Sequence, residues 1–164
     1  MRFKIGVILL LEANLAGCSM VQAGDQVKVT NEMDAAVSEG ILEMTNTFVD
    51  TVSANEFEAH LIYGATEKNE ITSVYTYTRY EAFNKGAQNG APGYSTPVLI
   101  KLKKENGKFQ AIEYKQPRDG SEYRSSIEKM FPKEYAQQAL NDTGHVSELG
   151  EKIRTNAKEW SSEK

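Results

Sequence analysis

Apolar residues recur at helical spacing shortly after residue 32. Five of them follow one another at steps of three and four: Val37, Ile41, Met44, Phe48 and Val52. This spacing places them on one face of an α-helix, so it predicts a helix over about 33–54. Asn31 or Asp34 is the expected N-cap, because either side chain accepts hydrogen bonds from the backbone N–H groups of a first turn.

The middle of the chain has the pattern of β-strands. Residues 57–66 and 71–83 are rich in Val, Ile, Thr and Tyr, which are typical strand residues. A turn-like sequence at 67–70 separates them. Gly, Asn and Pro are frequent in residues 84–97, and this composition predicts a long loop rather than regular structure.

A second pair of strands, residues 98–104 and 108–115, flanks the hairpin sequence Asn106-Gly107. A two-residue loop would set the apolar row of the first strand beside charged residues of the second. A three-residue loop aligns the apolar residues, and we expect this register because a slip of one residue turns every side chain to the other face. It pairs Lys104, Leu102, Ile100 and Val98 with Lys108, Gln110, Ile112 and Tyr114. Gly107 then takes the left-handed conformation of a bulge.

Helical patterns return after the sheet. Residues 122–130 predict a helix that Pro132 ends, because proline lacks a backbone N–H and clashes within a helix. Residues 133–140 predict a second short helix, 141–144 a turn, and 147–160 a last, mostly polar helix. These elements predict an α+β fold with an N-terminal helix, a four-stranded antiparallel meander and C-terminal helices. The helices are expected to cover one face of the sheet. Cystatin-like folds share this order by analogy of architecture, which says little about activity.

The first residues have the pattern of an export signal. Arg2 and Lys4 give a basic start, residues 5–11 an apolar core, and Glu12 follows this core. The apolar run is far shorter than the roughly 20 residues that a membrane-spanning helix needs. The run Leu15-Ala16-Gly17-Cys18 resembles the lipobox of bacterial lipoproteins.

That resemblance implies a membrane-anchored protein. Cys18 would carry the diacylglyceryl and palmitate modification, residues 1–17 would be the signal peptide, 18–31 a flexible tether, and 32–164 a single domain. Ser19, rather than aspartate, follows the cysteine. In a Gram-negative envelope this implies the periplasmic face of the outer membrane, and the sequence does not reveal the type of host.

Composition narrows the partners. The formal net charge is −4, and removal of a signal carrying Arg2, Lys4 and Glu12 takes it to −5. An acidic chain without a basic tract is a poor match for nucleic acid. Cys18 is the single cysteine, so disulfides within the chain and thiol chemistry in the mature domain are excluded.

One further stretch has a family resemblance. Residues 113–123, EYKQPRDGSEY, followed by IEKMFP at 127–132, are similar to a segment of extracytoplasmic lipoprotein domains. The segment also resembles the tails of membrane-bound metallopeptidase sensors from Gram-positive bacteria, and the similarity covers roughly residues 98–140. The zinc-binding His-Glu-x-x-His helix of those sensors is absent, so no peptidase activity is implied.

The centre of this stretch predicts a structural corner formed by four residues: Pro117, Arg118, Asp119 and Gly120. Proline ends the strand, aspartate accepts backbone N–H bonds across a turn, and glycine supplies a positive φ. A contribution of this segment to binding is the less favoured alternative.

Candidate catalytic groups are sparse. His60 and His145 have no companions at metal-ligand spacing. Gly120-Ser121 lacks the second glycine of a nucleophile elbow, and no phosphate-binding glycine loop is present. The sequence therefore predicts no enzyme, metal or cofactor.

The best candidate surface is aromatic. Alternation along residues 71–80 places Tyr75, Tyr77 and Arg79 on one face of a strand and Val74 and Tyr80 on the other. Tyr and Arg are favoured interface residues, and the neighbouring loop contributes Tyr94. The favoured alternative is that the tyrosines pack beneath a helix.

Two functional classes remain open. The first is a non-catalytic accessory, sensor or binding module of the cell envelope that contacts a protein or peptide. The second is a small-ligand-binding domain, or a degenerate enzyme, with a pocket between helix and sheet. An exposed aromatic strip would favour the first class, whereas a pocket with convergent polar groups would favour the second.

Overall fold

The computed structural model describes residues 24–46, 55–83, 93–142 and 145–162. The lipobox, the signal peptide and Cys18 lie outside these residues. The elements are β1 (Asp25–Val27), α1 (Asn31–Thr45), β2 (Asn55–Lys68), β3 (Ile71–Phe83), β4 (Gly93–Glu105), β5 (Lys108–Lys115), a 3₁₀ turn (Gly120–Glu122), α2 (Tyr123–Met130), α3 (Lys133–Asn141) and α4 (His145–Ser162). The predicted α+β class is confirmed.

The sheet has five antiparallel strands in the order β1-β2-β3-β4-β5, so the prediction of four strands is wrong. The additional strand is β1, in which Asp25 pairs with Glu67 and Val27 with Ala65. β1 lies within the segment predicted as a tether and precedes α1, so the prediction that the fold begins with a helix is also wrong. Val27 also packs against the core. Three residues are too few to show an alternation pattern, which explains why this strand was not predicted.

Helix α1 begins one residue after Thr30, whose hydroxyl oxygen accepts a 3.3 Å hydrogen bond from the backbone N–H of Met33. The cap is therefore Thr30, and the prediction of Asn31 or Asp34 is wrong. The described part of the helix ends at Thr45. Residues 47–54 of the predicted helix lie outside the described residues.

The β2–β3 hairpin is tighter than predicted. Asn69 and Glu70 both have positive φ, at 52° and 63°, as the central residues of a two-residue type I′ turn do. The strands therefore extend to Lys68 and Ile71. β4 is also longer than predicted and begins at Gly93, so the last five residues of the expected loop belong to the sheet. Residues 84–92 lie outside the described residues.

The β4–β5 hairpin contradicts the predicted register. Glu105 pairs with Lys108 across a two-residue turn, and Asn106 and Gly107 have φ of 51° and 81°. A bulge at Ile112 then shifts the pairing by one residue, so that Ile100 lies opposite Tyr114. Three β5 side chains pack on the core as a result: Phe109, Ala111 and Tyr114. Ile112 is the β5 residue that departs from the alternation. The bulge allows the two-residue turn to form while the apolar side chains of β5 still face the core.

Helices cover both faces of the sheet, which corrects the prediction that they would cover one. Successive strand residues point to opposite faces, and each face has its own core. On one face, α1 packs against Val74, Val98 and Ile100. On the other, Tyr75 and Leu99 contact α2 and α3, while Ala59 and Tyr77 contact α4. Within the described residues, no helix is long and apolar enough to span a bilayer.

Candidate functional site

The predicted aromatic row does not form an exposed strip. Tyr75 and Tyr77 are only 3% and 9% exposed. The ring of Tyr75 lies 5.2 Å from that of Phe131 and 5.1 Å from that of Tyr135. Its hydroxyl group is 3.0 Å from Oγ1 of Thr66. Both tyrosines therefore fill the space between the sheet and the C-terminal helices, as the packing alternative predicted.

Arg79 lies on the same face and holds α4. Its Nε donates to the Glu81 carboxylate at 2.7 Å, and its guanidinium group donates to the carbonyl of Val146 at 3.2 Å. Gly150 faces the guanidinium, where a Cβ atom would stand 2.8 Å from the guanidinium carbon. These contacts assign Arg79 a role in helix packing.

Tyr94 is not brought together with the other three residues. It lies on the α1 face, stacked on Tyr80 with 5.5 Å between ring centroids. Its hydroxyl group is 2.9 Å from the hydroxyl of Thr45. Burial raises the pKa of Tyr94 to about 12, so the phenol is neutral at physiological pH.

The predicted corner is an exposed turn. Gly120 has the expected positive φ of 68°. Asp119 forms no side-chain cap; instead, the Ser126 hydroxyl oxygen accepts a 3.0 Å bond from the backbone N–H of Arg118. The Arg118 guanidinium pairs with Glu122 at 3.2 Å.

His60 belongs to a polar cluster on the α1 face that sequence reasoning did not find. Its Nδ1 is 2.9 Å from Glu58 and its Nε2 is 3.2 Å from Asp34. The Ser38 hydroxyl donates to the second oxygen of Glu58 at 2.5 Å. The serine thus contacts the carboxylate and not the imidazole, so this cluster lacks the serine–histidine bond that activates a nucleophile.

His145 has a capping role with Asp142. The Asp142 carboxylate accepts bonds from the backbone N–H of His145 at 3.1 Å and from the hydroxyl of Tyr63 at 2.8 Å. Within the described ranges, no group of three or more His, Cys, Asp or Glu side chains is arranged so that it could hold a metal ion. Both histidines are therefore bonded to carboxylates rather than arranged as ligands.

An open cleft of about 500 Å³ lies between the sheet and the end of α2, on the face that carries Tyr75. Two rows of paired residues form its floor, because β2–β5 lie side by side in register. One row is Thr66, Ser73, Lys101 and Glu113, and the next contains Tyr75, Leu99 and Lys115. Lys129 and Met130 of α2 form part of the wall. The α2 and α3 helices pack further along the floor and leave this end open.

Four lysines from four different elements line this cleft, which we call the lysine cleft: Lys68, Lys101, Lys115 and Lys129. Glu113 is the one acidic residue among the described residues that line it. Its carboxylate lies 2.6 Å from the ammonium of Lys101 and 2.8 Å from that of Lys115. Hydrogen bonds from these two lysines hold the pKa of Glu113 below its usual value.

The lysine cleft also exposes apolar surface. Among the described residues, Ile112 is the one large hydrophobic side chain that is exposed, at 51%, and it lines the same cleft as Lys115. Its exposure follows from the bulge in β5. Cations and apolar carbon therefore stand next to each other in one concave surface.

A second groove of about 440 Å³ lies along α2 and α3. Its charged residues are of mixed sign, with Arg124 and Lys133 beside Glu128. The groove therefore offers less charge selectivity than the lysine cleft, whose described lining residues have a net charge of +3.

A pattern in the sequence pointed to part of this site. Alternation along β4 places Leu99 and Lys101 on the face opposite Ile100, and the same rule applies to β3. Which part of that face the helices leave open depends on their packing, which the pattern does not encode.

The chain matches no protein-family model, no curated protein and no solved structure at significant similarity.

Proposed function

We propose that this chain is a membrane-anchored bacterial lipoprotein whose extracytoplasmic domain binds, without catalysis, an anionic ligand that carries an apolar part. Cys18 is the anchor, and the lysine cleft is the binding site. The single observation that carries the proposal is the convergence of four lysines over a partly apolar floor. A role as an accessory or sensor module of the cell envelope fits this assignment.

The charge of the lysine cleft supports an anionic ligand. Its described lining residues carry a net charge of +3. The chain without the signal peptide has a formal net charge of −5, which leaves −8 for all its other residues. Lysine ammonium groups bind phosphate and carboxylate oxygens as compact point charges. An acidic protein that gathers cations in one concavity attracts anions to that place.

The size and apolar lining support a small amphiphilic ligand. Pockets for small molecules commonly have volumes of about 300–1,000 Å³, and the lysine cleft has about 500 Å³. Ile71, Leu99 and Ile112 give the ligand apolar carbon to contact beside the cations. This arrangement corresponds to a pocket between helix and sheet, the second functional class that the sequence left open.

We propose binding without catalysis because both histidines are bonded to carboxylates outside the lysine cleft. The imidazole of His60 is only 7% exposed and bonded to two carboxylates. His145 is bonded to Asp142. Neither imidazole lines the lysine cleft.

Hexyl phosphate is a suitable probe, because it joins a phosphate to a short apolar chain. We expect saturable heat on titration into the full-length chain in phosphatidylcholine vesicles, after subtraction of empty vesicles. Lys101→Gln should weaken binding about tenfold, equivalent to about 1.4 kcal/mol, because it removes a cation from the floor. Lys158→Gln on α4 is the matched control. Equal binding by the wild type and Lys101→Gln, or no binding at all, contradicts the assigned site.

A further inference from the structure

From the position of the lysine cleft we infer that its ligand is the phosphate of anionic lipid head groups in the membrane that carries the anchor. The inference rests on the proposed function and names the source of the ligand. It is carried by three properties of the cleft: its distance from Cys18, its charge and its exposed apolar residue.

The lysine cleft lies close in the chain to the proposed anchor. Gly24, the first described residue, lines the lysine cleft. Six residue steps separate it from Cys18, and an extended chain advances by at most about 3.6 Å per residue. A lipid on Cys18 therefore lies within about 22 Å of the wall of the cleft. The anchored membrane surface is close to this end of the domain and not to an arbitrary side of it.

The lysine cleft and the rest of the chain carry net charges of opposite sign. Lys68 and Lys129 join Lys101 and Lys115 in the cleft, whereas the residues of the anchored chain outside the described lining carry a net charge of −8. Near an anionic bilayer, the lysine cleft is attracted while the acidic remainder is repelled. The charge asymmetry therefore turns the cleft toward the membrane once the anchor has brought the domain near.

The exposed side chain of Ile112 offers an apolar contact to the membrane. It is 51% exposed and lines the cleft together with the four lysines, at the edge of the sheet that β5 forms. Surfaces that lie on bilayers combine basic residues with apolar ones that enter the boundary between head groups and acyl chains. The shared chemistry is a phosphate next to apolar carbon, and both a lipid head group and a soluble phosphate ester offer it.

Lysine acetylation measured by mass spectrometry on the lipidated protein, which begins at Cys18, separates the two sources. The chain is placed in phosphatidylcholine vesicles alone, in vesicles that also contain phosphatidylglycerol, or in phosphatidylcholine vesicles with hexyl phosphate. We expect phosphatidylglycerol to slow acetylation of the four cleft lysines severalfold. Lys152 and Lys158 on α4 should react equally in all samples. Raising the salt to 1 M should remove the protection, because the Debye length falls from about 10 Å to about 3 Å.

Each outcome has a defined meaning. Protection by phosphatidylglycerol that is confined to the four cleft lysines supports the membrane as the source. Protection by hexyl phosphate without protection by phosphatidylglycerol overturns this inference and leaves the proposed binding function standing. Protection in neither sample overturns both. Equal protection of Lys152 and Lys158 overturns the assignment of the cleft as the face that meets the membrane.

Discussion

Gly150 of α4 lies against the guanidinium group of Arg79, where a Cβ atom would come within 2.8 Å of the guanidinium carbon. Arg79 is held in this place by Glu81 and by the carbonyl of Val146. Arg79 thus bonds the longest described helix to the sheet, and a glycine lies opposite its guanidinium group. Arg79 was predicted as part of a binding row, and this contact explains its presence without a ligand.

Gly150→Ala is expected to have opposite effects in two backgrounds. In the wild type, the new methyl group displaces the guanidinium and weakens its hydrogen bonds, so the free energy of unfolding should fall by about 1 kcal/mol. In an Arg79→Ala background, no guanidinium is present and the higher helix propensity of alanine should stabilise the protein by about 1 kcal/mol. Urea denaturation of the four proteins measures both values. The same change in the free energy of unfolding in both backgrounds would show that Arg79 and Gly150 are not coupled.

Deletion of Ile112 is expected to leave the fold intact. This residue is the extra one of the bulge, so its removal gives a regular ladder that still pairs Leu102 with Ala111 and Ile100 with Tyr114. Deletion of Lys101 from β4 is the matched control, because it turns buried neighbours to the wrong face. Protection of the β4 and β5 amides from hydrogen exchange should be preserved in the first variant and lost in the second. Unfolding of the Ile112 deletion would contradict the bulge.

The contribution of His60 to stability should decline as the pH rises. Burial of the imidazole lowers its pKa, but Glu58 and Asp34 outweigh this effect and hold the pKa above 6.5. A raised folded-state pKa stabilises fully below the unfolded value near 6.5, and this stabilisation is lost as the pH passes the folded pKa. NMR titration of the ring should show a pKa above 6.5 that falls in Glu58→Gln. A ring pKa at or below 6.5 in the wild type would refute the charged cluster.

The contribution of Asp142 to stability should have the opposite pH dependence and decline as the pH falls. Burial raises its pKa, but bonds from Tyr63 and His145 outweigh this and lower the pKa below 3.8. The stabilisation is therefore present above pH 3.8 and lost as the pH falls through the lower folded value. Because the carboxylate is only 4% exposed, Asp142→Asn should cost about 1.5–3 kcal/mol at pH 7, measured by urea denaturation. Tyr63→Phe, which removes one bond, should cost less; a cost as large as that of Asp142→Asn would argue against the shared cap.

Local patterns predicted most strands and helices of this chain. The bounds of β3 and β5 match the predicted 71–83 and 108–115, because alternation over eight or more residues is a strong signal. The hairpin register was wrong for a physical reason. The prediction placed a bulge at Gly107 in the turn and did not consider one within β5. The bulge at Ile112 allows the two-residue Asn-Gly turn to form while the apolar side chains of β5 still face the core.

The candidate site was harder to predict than the strands. The alternation of Tyr75 and Tyr77 was correct, but alternation does not tell whether a face is covered. Ile127 and Phe131 bring α2 onto Tyr75 and leave the floor around Lys101 open. The four cleft lysines come from β2, β4, β5 and α2 and are distant in sequence, so their convergence is a tertiary property.

The central claim is that the four lysines act as one binding site. NMR of ¹³C-methylated lysines tests it directly, since methylation keeps the charge. On addition of hexyl phosphate to the full-length chain, we predict that the signals of Lys68, Lys101, Lys115 and Lys129 move together with one dissociation constant, while those of Lys152 and Lys158 stay in place. Shifts spread evenly over all lysines, or separate constants for the four cleft lysines, would contradict the claim.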